Sequence, residues 1–514
     1  MTTRLPTLRL ILPVLVVPLA IVLLDTLLFA PIFHSPALTP EDPEMYFLNA
    51  DKSFVDVLRA YNPWSLGWYR PTQFFLSYWV ILHFIGWHDI LGFKVANFLL
   101  FSLTTLLIAL LARRVLRLGH VPSVVAAAYF AMHPAVFLPL NEVTQFDFLH
   151  IIFMLLSAIA FNQWICTGRW GWWLAGGMSY IGAVTCKEVG LGALFMLPAL
   201  GWLHWQQSSP PLRERWRSIL GMWSALPLLT LLYLIIRIPL VRSTFTDSNY
   251  AYRIRPNVEL IIENAVNFVR WMPRILTDHY WWTQVRSPFG NGLAYLILAG
   301  VVATLGFAWR DRSYRIKAAF CLVWIAALSV IPVYSGGFGY HILDPMIGYA
   351  LLVGLTVDRM TAWRFFKSPV VRYALPVVLV GLLIVTARRE LDGWLSGGLH
   401  AQAIRVHTRA LHFPPIPPDK VRSDSFFLID DDAHYGLSYY GYGHLFAYVY
   451  ERPSIHEDLL QEATAGELRQ WLTAQSRFCV RVNPDTLRFE DKSADCKEKV
   501  EAMLEQKIRG VKSS

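Results

Sequence analysis

Long apolar runs, separated by short polar connections, constrain the fold of this chain more than any other feature. A helix needs about 20 mostly apolar residues to cross the hydrocarbon core of a bilayer. Eleven runs approach or reach that length, at 10–30, 92–112, 120–139, 147–166, 172–186, 188–205, 218–240, 290–309, 318–335, 343–357 and 373–390. The sequence therefore predicts an all-α polytopic membrane protein with about eleven transmembrane helices.

The composition excludes most other classes of protein. Of the 514 residues, 55% are hydrophobic and 16% are charged, whereas a soluble globular chain carries about 25% charged residues. The 5 cysteines include no CxxC pair, which excludes a disulfide framework and the metal sites built on that spacing.

The basic residues indicate how the chain is oriented in the membrane. Arg4 and Arg9 precede the first run, and basic residues then recur at every second connection. Since cytoplasmic loops carry the excess of Lys and Arg, the N-terminus is predicted to be cytoplasmic. The net charge of +9 then mostly reflects the basic residues of the cytoplasmic connections. Since these residues form no single basic face, we expect no nucleic-acid partner.

Three stretches are predicted to lie outside the cytoplasm. They are a first loop at 31–91, a second loop at 241–289 and a tail at 391–514. Within the first loop, the aromatic segment 69–87 favours interfacial helices, with a further span as the alternative. The tail alternates strand-like segments (DSFFLI, RFCVRV) with a helix-like one (DLLQEATAGELRQWLTAQS). We expect a transmembrane catalytic domain at 1–390 and a small extracytoplasmic α/β domain at 391–514.

Ionisable groups near membrane depth are costly and are therefore the first functional candidates. In this chain they gather at the connections predicted to lie outside. The candidates are Asp42, Glu44, Tyr69, Arg70, His133, Glu142, Asp147, Lys187, Glu188, Arg237, His341 and Asp344. Because acids and bases from separate connections face one compartment, the pattern indicates a site on the outer side.

Each candidate also has a purely structural interpretation. Asp147 could cap the fourth helix, and Arg237 could be a snorkelling residue near a helix end. Lys187 and Glu188 could form a salt-bridged turn, and His133-Pro134 could end a helix. The grouping on one side, more than any single residue, favours the functional interpretation.

Several segments, taken in order, resemble a known family. These are YRPTQFF (69–75), GFKVANFLL (92–100), AMHPAVFLPLNEVTQFDFLHIIFML (131–155), CKEVGLGALFMLPAL (186–200), YLIIRIPL (233–240) and FGYHILDPMIGYALL (338–352). Their order is similar to that in the membrane portion of GT-C glycosyltransferases, especially bacterial relatives of protein O-mannosyltransferases and the aminoarabinose transferases.

The chain departs from this family pattern at four points. Pro43 separates Asp42 from Glu44, so either acid can match the family's catalytic one. The arginine of the family's GRxD turn is absent before Asp147, and the arginine expected near His341 is replaced. The tetratricopeptide tail of the eukaryotic members is missing, so the resemblance does not extend to a protein acceptor.

The resemblance implies transfer of a sugar from a polyprenyl-phosphate-linked donor on the extracytoplasmic face of a bacterial inner membrane. It implies Asp42 or Glu44 as general base, and Arg70, Lys187, Arg237 and His341 as groups that bind the donor phosphate. Tyr69, His133, Glu142, Asp147 and Glu188 are expected to support them. The acceptor is a glycan, a lipid or a protein, and membrane lipids surround the chain.

No cofactor is expected to be required. Mg²⁺ or Mn²⁺ remains an alternative, with Asp42, Glu44, Glu142 and Asp147 as the possible ligands. The basic residues are sufficient in number to stabilise the phosphate without a metal.

Two other classes of function remain open. A transporter or flippase of a lipid-linked saccharide would use the same outer cations, but it would also need a counterpart site on the inner side. A non-catalytic assembly factor would use the tail to bind envelope components.

Cys479 and Cys496 are the two cysteines beyond the last run. Both fall in a compartment where disulfides persist if the tail is outside the cytoplasm. One lies in a strand-like segment and the other in a helix-like segment, so the sequence predicts a disulfide between them.

Overall fold

A computed structural model describes most of the chain. The described residues are 21–33, 53, 72, 82–85, 90–141, 147–207, 226–235, 258–274, 288–334, 342–363, 368–396, 398–430, 445–450, 452, 455–460, 463–483 and 485–512. This part of the chain is mostly helical and ends in a small mixed sheet.

Most of the described helices before the tail lie over the predicted apolar runs. The bounds of the helices before the tail are α1 Ile21–Phe33, α2 Leu82–Ile85, α3 Ile90–Arg114, α4 His120–Ala131, α5 Phe137–Asn141, α6 Phe148–Thr167, α7 Trp170–Cys186, α8 Ala193–Gln207, α9 Leu226–Ile235, α10 Val258–Trp271, α11 Pro288–Ala308, α12 Arg312–Tyr334, α13 Leu343–Ala362 and α14 Pro369–Ser396. Of these, α2 and α10 lie in the two predicted outer loops. Short 3₁₀ turns lie at Pro134–Val136 and Glu188–Gly192.

Four of these helices are long and apolar enough to cross a membrane. They are Leu91–Arg114, Phe148–Thr167, Phe289–Ala308 and Arg312–Tyr334, among the residues that the structure describes. The chain is therefore an integral membrane protein, while the full count of eleven spans remains a prediction.

The third predicted run is not one continuous helix. α4 and α5 meet at an angle of 56° across a short break. The cause is Pro134, which has no amide hydrogen to continue the helix and keeps the preceding His133 extended (φ −82°, ψ 134°). The prediction of one continuous helix over 120–139 is corrected to a bent pair of helices, which fits a broken span or a re-entrant loop.

The tail contains a four-stranded sheet in the order β2-β1-β3-β4. β1 (Phe426–Asp430) pairs in parallel with β2 (His456–Leu459) and β3 (Arg477–Val482), and β4 (Phe489–Asp491) pairs antiparallel to β3. Helices α15 Gly398–His412, α16 Leu445–Val449, α17 Ala465–Thr473 and α18 Ser493–Lys512 complete the tail.

Alternating residues of β1 pack on opposite faces of this sheet. Phe427 and Ile429 pack with residues of α15 and α16, whereas Phe426 and Leu428 pack with residues of α17 and α18. This alternation is the period of a strand buried on both sides. The expected α/β tail is thus present in the structure.

The helix-like segment of the tail begins later than predicted. Residues 458 and 459 belong to β2, and α17 begins only at Ala465. Thr464 and Glu467 form a capping box there, in which each side chain bonds the other's backbone amide. The capping box, rather than the apolar pattern, fixes the start of the helix.

A disulfide joins Cys479 of β3 to Cys496 of α18, with Cα atoms 6.1 Å apart. α14 continues past residue 390 and ends at Ser396.

Candidate functional site

A buried ion pair lies at the N-terminal end of α6. Lys187 Nζ is 2.7 Å from Asp147 Oδ1, and both side chains are almost fully buried. Asp147 stands at the N-cap position of α6 but makes no capping hydrogen bond. The interpretation of Asp147 as a helix cap is therefore wrong, because its carboxylate turns instead to Lys187.

A second buried pair lies on the same turn of α6. His150 Nε2 is 2.8 Å from Asp344 Oδ1, and both side chains are buried. Residues three apart in a helix share a face, so His150 lies beside Asp147. The indole of Trp324 donates to the backbone carbonyl of Asp344 over 3.0 Å, which ties α13 to α12 at this level. We call Asp147, His150, Lys187 and Asp344 the α6 cluster.

Close backbone contacts fix the position of Lys187. It lies between the end of α7 and the Glu188–Gly192 turn, with an extended backbone (φ −154°, ψ 140°). A Cβ atom at Gly190 would be 2.8 Å from the backbone of Ala183, and one at Gly192 would be 2.7 Å from the Ala327 carbonyl oxygen. Only glycine allows the turn to pack this closely against α7 and α12.

The first predicted outer loop reaches the same region through Thr72. Its hydroxyl lies 2.6 Å from that of Thr185, which is two residues before Lys187. Thr72 directly follows the Tyr69-Arg70-Pro71 motif in the sequence. The contact places Thr72 at the C-terminal end of α7.

His133 is a structural residue. Its Nδ1 accepts from the amide of Ala135 over 3.1 Å, and its Nε2 donates to the carbonyl of Trp271 over 2.9 Å. Since both ring nitrogens are occupied by the backbone and the ring is fully buried, the interpretation of His133 as part of a helix end is the better one. Glu188 begins the 3₁₀ turn after Lys187 and is half-buried.

The remaining predicted site residues lie outside the described residues. They are Asp42, Glu44, Tyr69, Arg70, Glu142, Arg237 and His341. Of the four possible metal ligands only Asp147 is described, and it pairs with Lys187. Within the described ranges, no group of three or more His, Cys, Asp or Glu side chains is arranged to hold a metal ion.

Sequence reasoning missed Lys94, a fully buried residue of α3. Its ammonium group donates to the carbonyl of Ile32 over 2.9 Å, one residue before α1 ends. A cation is favourable at a helix C-terminus, where carbonyl groups lack intrahelical partners. Lys94 therefore holds the end of α1 from which the first loop departs. Its position inside an apolar run was the signal that could have revealed it.

Two further buried groups also escaped sequence reasoning. Arg274 follows α10 in a left-handed backbone conformation (φ 76°) and pairs with Glu390 of α14, with both side chains buried. Asp25 lies on α1 and is 1% exposed. Neither of its carboxylate oxygens has a hydrogen-bond partner within the described part of the chain.

Comparison of the whole fold with solved structures finds two informative likenesses. The first is the archaeal oligosaccharyltransferase AglB from Archaeoglobus fulgidus, in complex with an inhibitory peptide and a dolichol phosphate. Its TM-score is 0.51 at 12% identity, over 91% of this chain and 69% of AglB. The second is ArnT from Cupriavidus metallidurans bound to undecaprenyl phosphate, with a TM-score of 0.50 at 14% identity, over 92% and 94% of the two chains.

No family model and no curated protein sequence matches the chain. The likeness is therefore one of fold alone, shared with the AglB and ArnT structures. The resemblance that the ordered sequence segments indicate is confirmed at this level.

Proposed function

We propose that this protein is a membrane glycosyltransferase that moves a sugar from a polyprenyl-phosphate-linked donor to an acceptor on the extracytoplasmic face. The observation that carries the proposal is the α6 cluster, which brings a buried lysine, a buried histidine and two buried aspartates together at one end of a bundle with the GT-C fold. The two similar structures contain dolichol phosphate and undecaprenyl phosphate, which supports a lipid-linked donor.

The proposed topology has eleven spans, a cytoplasmic N-terminus and a catalytic domain at 1–390. The tail at 391–514 lies outside, in the periplasmic space or its equivalent at a bacterial inner membrane. The disulfide between Cys479 and Cys496 supports this location, because structural disulfides persist in oxidising compartments and are rare in the cytosol.

Asp42 is the proposed general base, with Glu44 as the second candidate. The base takes the proton of the acceptor hydroxyl while its oxygen bonds to the anomeric carbon. The bond between that carbon and the phosphate oxygen breaks, and its electron pair leaves with the polyprenyl phosphate. A single displacement of this kind inverts the anomeric configuration and needs no covalent intermediate.

Cationic side chains stabilise the charge that develops on the leaving phosphate. The proposed set is Lys187 with Arg70, Arg237 and His341. An ammonium group has three N–H donors, so the bond from Lys187 to Asp147 is compatible with a second acceptor. The contact between Thr72 and Thr185 supports the inclusion of Arg70, since Thr72 follows it by two residues. Tyr69, Glu142 and Glu188 are proposed to support this set.

We propose that the reaction needs no metal, because the cationic residues provide the positive charge that a divalent ion would supply. The proposed acceptor is a glycan, a lipid or a protein. AglB was solved with an inhibitory peptide, which is a property of AglB and does not decide among these acceptors.

The test is conversion of donor by the purified full chain in lipid nanodiscs, supplied with envelope lipid extract as donor and acceptor. Release of unsubstituted polyprenyl phosphate is measured by mass spectrometry. Asp42→Asn should slow release by about 10²–10⁴-fold and should retain carrier binding, with Glu44→Gln as the matched control.

Activity lost only in Glu44→Gln would move the base by two residues, and full activity in both would contradict the first-loop acid. Wild-type protein that moves a lipid-linked saccharide across the bilayer of proteoliposomes, without releasing carrier, would favour the flippase instead.

A further inference from the structure

Helix α10 (Val258–Trp271) presents three different surfaces along its length. One face carries Asn264, Phe268 and Trp271, which are buried against the bundle. These residues are spaced four and three apart, so they share one side of the helix. This side is the packed face of α10.

A second face is apolar and exposed. It carries Val258, Ile262, Val266 and Val269, of which Ile262 is 58% and Val269 is 67% exposed. With 3.6 residues per turn, these four side chains form one continuous stripe beside the packed face. We call it the aliphatic stripe.

The third face is charged and borders the other side of the aliphatic stripe. It carries Glu259, Glu263 and Arg270, all of which are exposed. In a helix with one face against protein and the rest in water, an exposed aliphatic stripe would leave apolar surface in contact with water, which is unfavourable. Three faces in the order packed, apolar and charged are expected of a helix that meets protein, lipid and water at once.

Hydrogen bonds fix α10 at the end of a membrane-spanning helix. The side-chain amide of Asn264 donates to the carbonyl of Val333 over 3.0 Å, one residue before α12 ends at Tyr334. Tyr334 and Val330 are exposed at the same end of α12. The aliphatic stripe is therefore at the level where the apolar surface of a span ends.

The C-terminal end of α10 is also held in place. The hydroxyl of Tyr129 in α4 donates to the carbonyl of Met272 over 2.7 Å, and His133 donates to the carbonyl of Trp271. Because the middle and the C-terminal end of the helix bond to the bundle, its depth in the bilayer is set by the fold.

We propose that α10 lies along the membrane surface, with the aliphatic stripe inserted at the boundary between lipid headgroups and acyl chains. Glu259, Glu263 and Arg270 then face water. The occupant of the stripe is the bilayer itself, because the stripe meets the lipid-facing end of α12 and its outer border is a row of charges. This assignment holds whether or not the proposed catalysis is correct.

The test is the collisional accessibility of nitroxide labels on single cysteines of the full chain in lipid nanodiscs. Cys166 is replaced by serine, because it is exposed, whereas Cys186 and Cys321 are buried and the other two form the disulfide. Labels are placed at Ile262→Cys and Val269→Cys, with Glu263→Cys and Arg270→Cys as matched controls on the charged face.

We expect labels at 262 and 269 to collide several-fold more often with oxygen than with a water-soluble nickel chelate, and the controls to show the reverse. Nickel accessibility at 262 and 269 equal to that of the controls would place the stripe in water and overturn the proposal. Protection from both reagents would place it against protein, either a second copy or another chain, and would overturn it equally.

Discussion

Asp25 shows how a single side chain can conflict with its surroundings. It is buried on α1, and neither carboxylate oxygen has a hydrogen-bond partner in the described part of the chain. A buried polar group without a partner costs about 1–3 kcal/mol. Asp25 is therefore a candidate for a functional role. It is also a position at which an apolar side chain should stabilise the protein.

We expect Asp25→Leu to increase the stability of the protein by about 1–3 kcal/mol, because an apolar side chain of similar size needs no partner. The measurement is thermal unfolding in detergent. Asp358→Leu is the contrasting variant, since Asp358 accepts a hydrogen bond from the amide of Gly119 over 3.1 Å and its loss should destabilise. A loss of stability in Asp25→Leu would contradict the account of this residue.

At this scale the sequence identified Lys187 and Asp147 as candidates, because ionisable groups at membrane depth stand out in an apolar chain. It could not pair them, since they are 40 residues apart and the contact depends on how α6 and α7 pack. The same criterion applied to Lys94 and Asp25 would have found both. The sequence left two interpretations of His133 open, and its two hydrogen bonds to the backbone favour the helix end at His133-Pro134.

At the scale of elements, the turn after α7 decides where Lys187 lies. Gly190→Ala should destabilise the protein and weaken donor binding, because the new Cβ would lie 2.8 Å from the backbone of Ala183. The readouts are thermal unfolding and binding of polyprenyl phosphate. Gly171→Ala is the matched control, since no atom lies within 4 Å of a Cβ at that position of α7, and it should be neutral or slightly stabilising. Equal stability of the two variants would show that the turn tolerates displacement.

The positions of helices were largely predictable at this scale, and their ends and breaks were not. The apolar runs mark α3, α6, α11 and α12 closely, because length and hydropathy define a span. Pro134 breaks the third run, and Thr464 begins α17 later than the helix-like pattern suggests. Both differences arise from local backbone interactions, a proline that breaks a helix and a capping box that begins one, and the pattern of apolar residues does not show either.

At the scale of the whole molecule, the orientation in the membrane is the main prediction. A reporter that is active only in the cytoplasm should be silent when it is fused after Ser514, because the distribution of basic residues among the connections predicts that the tail is outside. Fusion after Arg117, in a connection predicted to be cytoplasmic, is the positive control. A bright signal from the tail fusion would reverse the orientation and contradict the extracytoplasmic site.

The disulfide of the tail offers an independent test of the same topology. Protein isolated without reductant should yield a cross-linked peptide pair through Cys479 and Cys496. Replacing both residues by alanine should destabilise the tail by about 3 kcal/mol, as expected for closure of a short loop. Free thiols at both positions in freshly isolated protein would count against an oxidising compartment.

The central claim is that Lys187 of the α6 cluster binds the donor phosphate, and a double-mutant cycle on Lys187 and Asp147 tests it most directly. Each single variant, Lys187→Met or Asp147→Asn, should lose about 3–5 kcal/mol of stability, because it breaks a buried ion pair by removing one of its two charges. The double variant should regain most of that loss. Affinity for polyprenyl phosphate should fall by about 10–100-fold in Lys187→Met and stay low in the double variant. It should remain near the wild-type value in Asp147→Asn. Wild-type affinity in the stable double variant would show that the pair is only structural and would contradict the account.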